Sequence, residues 1–468
     1  MKFSHSIAAA LALLATACVS VPHDAGTADI RAAVSERTAQ TVAWADPSTS
    51  DDPRVRALLQ DELTADRAVA VAMANSPRLQ ATLAELGIAR AELMEASVVR
   101  NPLLELEVRF PRDPFRPYEL RVAQTLVDLI QLPRRRAIGR ATFDAAKLRV
   151  TSEVLRFAAD VRAQHSELLA ASQRVAQSRA NLEAAKTSAE LAQRQHHVQN
   201  ITDLDLENEQ AQYEQAKLDL AREEQRLLLA REALVRAMGL RDASIEWHLP
   251  QAFPPLSSDE QDQQQLEQLA ATRRLDIDVA RREVDIARQR VPMARLAALG
   301  DVTVDAHYQR DANGARTVGP GIEVPIPILN TGAPARSRAE AEYLRAAHTL
   351  NALLAESSSE LRAARATVAE ARTRVEYYRD VVVPRRRRIV ELTKLEHNAM
   401  LVGPFQLLQA RQSEAQAERD FIDAQLDYWA ARNSLDRALN GIAASSMFTH
   451  ATDQQSGRRS TTSPEGGH

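Results

Sequence analysis

Apolar residues return every seventh position through long stretches of this chain. Val154, Val161, Leu168, Val175 and Leu182 form one series, and Leu354, Leu361, Val368, Val375 and Val382 form a second, displaced by 200 positions. Leu206, Tyr213, Leu220, Leu227 and Leu234 form a third, weakly echoed by Leu408, Ala415, Ile422 and Trp429. A seven-residue period keeps one seam of a helix turned toward a partner helix. Small companions such as Ala171, Ala185 and Ala192 permit close approach. The chain therefore reads as an internal duplication. Each half has an opening helix (63–99, then 264–298), two short strands, a long helix (134–197, then 335–397) and a return helix (203–238, then 404–439). Some sixty residues of helix span about 90 Å. Gly239 and Asn440-Gly441 suit the ends of the return helices.

Between the opening and long helices the period drops to two. Leu104, Leu106, Val108 and Phe110 alternate with Glu105, Glu107 and Arg109; Tyr118, Leu120 and Val122 alternate with Glu119 and Arg121. Val304, Ala306 and Tyr308 alternate with Asp305 and His307, and a fourth strand at 318–328 alternates less cleanly because it holds three prolines. Such strands have two faces. The apolar face can lie on a soluble core, or on lipid with the charged residues lining a water-filled lumen; the alternation alone fits both. Glu105, Glu107, Arg109, Glu119, Arg121, Asp305 and His307 are then the candidate lumen residues. Four strands cannot close a barrel, and an open edge in hydrocarbon leaves backbone groups unpaired. The membrane reading thus needs several copies sharing one barrel. The expected fold class is mainly α with a small β part: long antiparallel coiled-coil hairpins forming an α-barrel, plus four strands per subunit in a shared transmembrane β-barrel.

The chain's two ends carry separate messages. Lys2 and His5 precede an apolar run over 7–14, too short to span a bilayer and suited to a secretion signal over 1–17. The run leads into Ala15-Thr16-Ala17-Cys18, and this single cysteine stands where a bacterial lipoprotein signal is cut and acylated. Cys18 is the candidate lipid attachment site. Residues 18–62 read as an extended N-terminal segment, 63–240 and 263–441 as the two repeats, 241–262 as a linker with prolines, and 442–468 as a polar, disordered tail. No other apolar segment approaches the roughly 20 residues of a membrane helix, so a crossing would use strands.

Composition narrows the function classes. Aromatic residues make up 4% of the chain and glycine only 14 of 468 residues, which suits long helices better than a sandwich. A formal net charge of −4 gives no global attraction to nucleic acid, and no nucleic-acid partner is expected. Nothing resembles a nucleophile–base pair, a phosphate loop or a zinc motif, so no catalytic residue and no cofactor is expected. His196, His197 and His397 gather near the turns after the long helices but lack supporting carboxylate or thiolate ligands, and read as solvated. Asp203, Asp205, Glu207 and Glu209 would surround an opening with acid, and would equally offset a helix dipole.

Short motifs then converge on one family. Ala72-Met73-Ala74-Asn75-Ser76-Pro77-Arg78-Leu79 with Ala89-Arg90-Ala91, Asn101-Pro102 ahead of the first strand, Gly321-Ile322-Glu323-Val324-Pro325-Ile326-Pro327-Ile328, and Leu407-Leu408-Gln409-Ala410-Arg411 occur in the order seen in TolC-like outer-membrane efflux factors, and Asn200-Ile201-Thr202-Asp203-Leu204-Asp205-Leu206 resembles their first hairpin tip. The resemblance covers nearly the whole mature chain. It implies a lipid-anchored homotrimer in the outer membrane of a Gram-negative bacterium, with a twelve-stranded barrel continued by a helical barrel through the periplasm. It also implies a periplasmic adaptor and an inner-membrane pump of the RND type as partners, and export of small toxic compounds or metal ions. The tips, Asn200, Ile201, Thr202 and Asp203 with Met400, Leu401, Val402 and Gly403, become the candidate adaptor-docking or gate residues. The family often has glycine at the tips, where this chain has Gln199 and Met400. A type I protein-secretion channel is an alternative within the same fold. A periplasmic coiled-coil adaptor lipoprotein is an alternative of another class, and should show a single hairpin flanked by compact β-domains.

Overall fold

The computed structural model describes residues 24, 26–42, 53–110, 117–240, 247–257, 262–297, 300–311, 313–326, 328 and 331–442. The signal segment, Cys18, part of the linker (241–246 and 258–261) and nearly all of the C-terminal tail lie outside them.

Two helices, α1 (Thr27–Thr38) and α2 (Pro53–Leu59), occupy part of the segment expected to be extended. The first repeat continues with α3 (Ala65–Asn75), α4 (Pro77–Ser97), β1 (Leu103–Val108), β2 (Tyr118–Thr125), the long α5 (Leu126–His197) and the return helix α6 (Asp203–Met238). The second repeat holds α7 (Gln263–Arg273), α8 (Leu275–Ala297), β3 (Thr303–Arg310), β4 (Arg316–Glu323), α9 (Ala333–Tyr377), a π-helical turn (Tyr378–Val382), α10 (Val383–Asn398) and α11 (Pro404–Asn440). The duplication read from the heptads is therefore present element for element.

The elements differ from the sequence expectation in four ways. Both opening helices are broken in two. Ser76 is extended and Pro77, which has no N–H to donate, starts α4; Arg274 is extended at the matching place in the second repeat. The helix α5 starts at Leu126, eight residues earlier than expected, and carries Pro133 inside it. Its 72 residues reach about 108 Å. The second long helix is interrupted just ahead of Pro384 by the π-helical turn, where the Val383 N–H bonds back to the Tyr378 carbonyl. The fourth strand ends at Glu323, before the prolines of 325 and 327.

Along α5 the heptad seam from Val154 to Val175 is buried. The main core joins α1 through α6, with Val34, Leu63, Val69, Val154, Val161, Leu234 and Met238 all at 0% exposure. Smaller clusters hold α7, α9 and α11 together around Leu361, Leu435 and Leu439, and the mid-part of α9 and α11 around Val375 and Tyr428. The linker crosses between the hairpins: Phe253 packs with Leu169 and Ile422, and the Ser257 N–H donates to the Tyr428 hydroxyl at 3.2 Å. The four strands form one antiparallel sheet in the order β1-β2-β3-β4, so the middle pair joins the two repeats.

Candidate functional site

The sheet register sorts the strand residues cleanly. Leu104 faces Val122 and Leu106 faces Leu120; Leu120 and Val122 in turn face Tyr308 and Ala306, and Val304 faces Ile322. That face is apolar and uncovered: Leu104 is 65% exposed, Leu106 62% and Ile322 68%. The opposite face pairs Glu105 with Arg121, Glu107 with Glu119, and Arg121 with His307. All seven candidate lumen residues fall on this one polar face, together with Glu323, which the sequence reading had not singled out.

Arg121 is the hub of that face. Its Nη2 donates to Asp305 Oδ1 at 3.1 Å and to Glu323 Oε2 at 3.3 Å, and Nη1 lies 4.0 Å from Glu105. Arg109 donates to Glu107 at 2.9 Å and lies 4.0 Å from Glu119. Gly321 leaves the space Asp305 uses, since a Cβ there would come within 2.6 Å of both carboxylate oxygens. Gly319 likewise lies against the His307 ring. Five carboxylates (Glu105, Glu107, Glu119, Asp305, Glu323) stand against two guanidiniums (Arg109, Arg121) among the described residues of this face, so its charge is negative. At the end of the sheet far from the helices, Tyr118 and Tyr308 stack with ring centroids 5.7 Å apart, and Phe110 is 74% exposed nearby in the chain.

The two hairpin tips are built alike. After α5 the chain turns through Gln199 at φ 59, with Asn200 N–H bonded to the Gln195 carbonyl at 2.9 Å; after α10 it turns through Met400 at φ 62, with Leu401 N–H bonded to the Glu396 carbonyl at 2.9 Å. This closure favours glycine at the left-handed position, and both tips make it without one. Thr202 and Asp205 form a reciprocal capping box that starts α6, whereas Pro404 starts α11. A histidine steadies each turn: the His196 Nε2 lies 2.6 Å from Asp203 Oδ1, and the His397 Nδ1 donates to the Val402 carbonyl at 3.1 Å. The tips lie at one end, since Ile201 and His397 line the same cleft between the hairpins.

Of the tip residues, Asn200, Thr202, Asp203, Met400 and Leu401 are exposed, while Ile201, Val402 and Gly403 are half-buried. Val198, Leu204, Leu395 and Phe405 are exposed apolar neighbours that the sequence reading missed. Leu204 and Phe405 sit at the second position of their return helices, where a heptad series does not flag them. Among the described residues no helix is long and apolar enough to cross a membrane, and no group of three metal-ligating side chains is found.

Long paired helical hairpins under a small sheet also make up the solved structures of several outer-membrane channels. Solved structures of that kind match the fold: a membrane protein from Pseudomonas aeruginosa (21% identity, 86% of this chain and 97% of that one, TM-score 0.69), the outer membrane protein VceC from Vibrio cholerae (18%, 81% and 97%, 0.66) and the Campylobacter jejuni CmeC outer membrane channel (14%, 86% and 94%, 0.67). Residues 266–441, most of the second repeat, match the model of the outer membrane efflux protein family. No curated protein matches the chain in sequence. The adaptor alternative is set aside by the fold, whose described residues form two hairpins and four strands.

Proposed function

We propose that the chain is the outer-membrane channel subunit of a tripartite efflux system. Three copies would close a twelve-stranded barrel, each contributing the β1-β2-β3-β4 sheet, with the apolar face on lipid and the Arg121 face on the lumen. The observation that carries this reading is the sheet itself: an apolar face left uncovered by any helix, a charged face behind it, and two outer edges, β1 and β4, without a partner strand in the sheet. Such a sheet is stable in hydrocarbon only when neighbours complete it. Acylated Cys18 would hold the subunit to the outer membrane, and the tips would meet a periplasmic adaptor and, through it, an inner-membrane pump of the RND type. The cargo in this reading is small toxic compounds or metal ions.

Cross-linking in native membranes tests the assembly and should give a species of three subunits; a folded monomer in mild detergent contradicts the shared barrel. Leu401→Glu separates the two readings of the tips. If they dock an adaptor, efflux and adaptor cross-linking are lost with trimer level unchanged. If they latch the channel, conductance in planar bilayers rises without any adaptor. Cys18→Ser should remove palmitate labelling.

A further inference from the structure

We propose that a cavity at the root of the sheet binds an amphipathic anion, an alkyl chain carrying an acidic head. The cavity, about 320 Å³, lies among α4, α5 and α8. Its wall is aliphatic, with Ala89, Leu93 and Ala96 from α4, Ile138 from α5 and Met293 from α8. Gly139 closes one side of it: a Cβ there would lie 2.8 Å from the Ala96 Cβ and 3.3 Å from Leu93 Cδ1, so only glycine lets α4 and α5 meet this closely. Such a wall favours hydrocarbon, because burial gains in proportion to the apolar surface taken from water.

The cavity's charged residues define the head group. Glu92, Arg135 and Arg290 are its ionisable members, two guanidiniums against one carboxylate. Arg135 is held in place, its Nη2 donating to the Val98 carbonyl at 2.7 Å and its Nη1 lying 3.9 Å from Asp128. Its Nε–H is buried without an acceptor among the described residues. Arg290 is exposed, and its guanidinium is free of ion pairs and hydrogen bonds among the described residues. A carboxylate or phosphate at the mouth would take charge-assisted hydrogen bonds from it, whereas a cationic head would be repelled. Exposed Leu126, Leu129 and Ile130 stand on α5 between the sheet and the cavity, giving an alkyl chain an apolar approach. The same chemistry could come from a phospholipid of the adjoining membrane or from a free single-chain amphiphile.

The test is equilibrium dialysis of the full chain in non-ionic detergent against radiolabelled dodecanoate, with dodecanol as the uncharged probe. One saturable dodecanoate per chain is expected, with dodecanol about tenfold weaker, the loss of one charge-assisted hydrogen bond. Thr142→Trp, which fills the cavity, and Arg290→Glu, which inverts its charge at an exposed position, should each weaken dodecanoate about tenfold or more, with helical circular dichroism unchanged. Non-saturable binding overturns the proposal, as does native affinity in Arg290→Glu or in a folded Thr142→Trp; equal affinity for dodecanol overturns the acidic head. Phosphatidylglycerol that displaces dodecanoate identifies the membrane as the source. Failure to displace it leaves the free amphiphile as the ligand.

Discussion

The two repeats share an order of parts but not a state of burial. In the first, Val154, Val161 and Leu168 are at most 1% exposed, because α1, α3 and α4 pack along α5. In the second, Leu361 is buried at 1%, yet Leu344 and Leu354 stand 55% and 42% exposed on α9. The first repeat encloses its own core; the second presents apolar surface that a neighbouring subunit would cover. The helix breaks differ in the same spirit. In the first repeat the Asn75 side-chain amide donates to the carbonyls of Met238 and Gly239 at 3.1 and 2.9 Å. In the second, Arg274 at 5% exposure donates to the Ala438 carbonyl at 3.0 Å and to both Asp276 and Glu360. One clamp is neutral and the other ionic, and both tie a return helix to the break in the opening pair.

The sharpest test of this contrast exchanges residues 200 positions apart. Val154→Asp puts a carboxylate where nothing can solvate it and should destabilise the subunit by more than about 4 kcal/mol, read as loss of folded protein. Leu354→Asp should leave the subunit folded and lower only the cross-linked oligomer; equal damage at both sites would erase the distinction. At the clamps, Arg274→Ala strands the Ala438 carbonyl and leaves Asp276 and Glu360 to solvent, and should cost about 3 kcal/mol. Asn75→Ala should cost about 1–3 kcal/mol, both read by denaturant midpoints. On the sheet, Leu106→Arg should reduce membrane insertion at about 2–4 kcal/mol per site, while Glu107→Arg should insert normally and lower cation preference in bilayer recordings. The smallest effect concerns pH. Burial pushes the His165 imidazole below its ordinary value, its Nε2 lying 2.6 Å from the Leu63 carbonyl, whereas Arg365, its counterpart, is exposed. Above pH ~6.5 neither state binds the proton and this contribution to stability is whole. As pH falls through that value the unfolded chain protonates first, so stability drops by at most about 1.4 kcal/mol per pH unit. Thermal midpoints at pH 7.5 and 5.5 should show the drop, and His165→Gln should flatten it.

The repeat order and strand faces were legible because they depend on local period. The return helices begin at Asp203 and Pro404 as expected, since a capping box and a first-position proline act within one turn. What the sequence concealed depends on distant contacts. Arg274 carries no helix-breaking chemistry of its own; its extended backbone goes with ion pairs to residues as far away as Glu360 and Ala438. The long helix was expected from residue 134, but the apolar residues before Pro133 continue α5 up to the sheet. At the tips, position at a turn suggested exposure for Ile201 and Val402, yet both are half-buried while Met400 is 94% exposed.

The π-helical turn at Tyr378–Val382 acts as a phase corrector. The heptad series of the two long helices stay 200 positions apart through Leu182 and Val382, but the left-handed tip residues Gln199 and Met400 are 201 apart. From Val375 to Met400 the second long helix therefore runs 25 positions, one more than the 24 from Val175 to Gln199 in the first. In a regular α-helix that residue would rotate everything beyond it by about 100°, swinging the second tip out of line with the first. A π turn is how a helix stores one surplus residue locally, and its position between the buried seam residues Val375 and Val383 absorbs the surplus before the tip is reached. Deleting Val381 should therefore convert the turn to plain α-helix and leave the tips aligned. Deleting Asn181 from the first repeat, where no surplus exists, should rotate its tip by the full 100° or so.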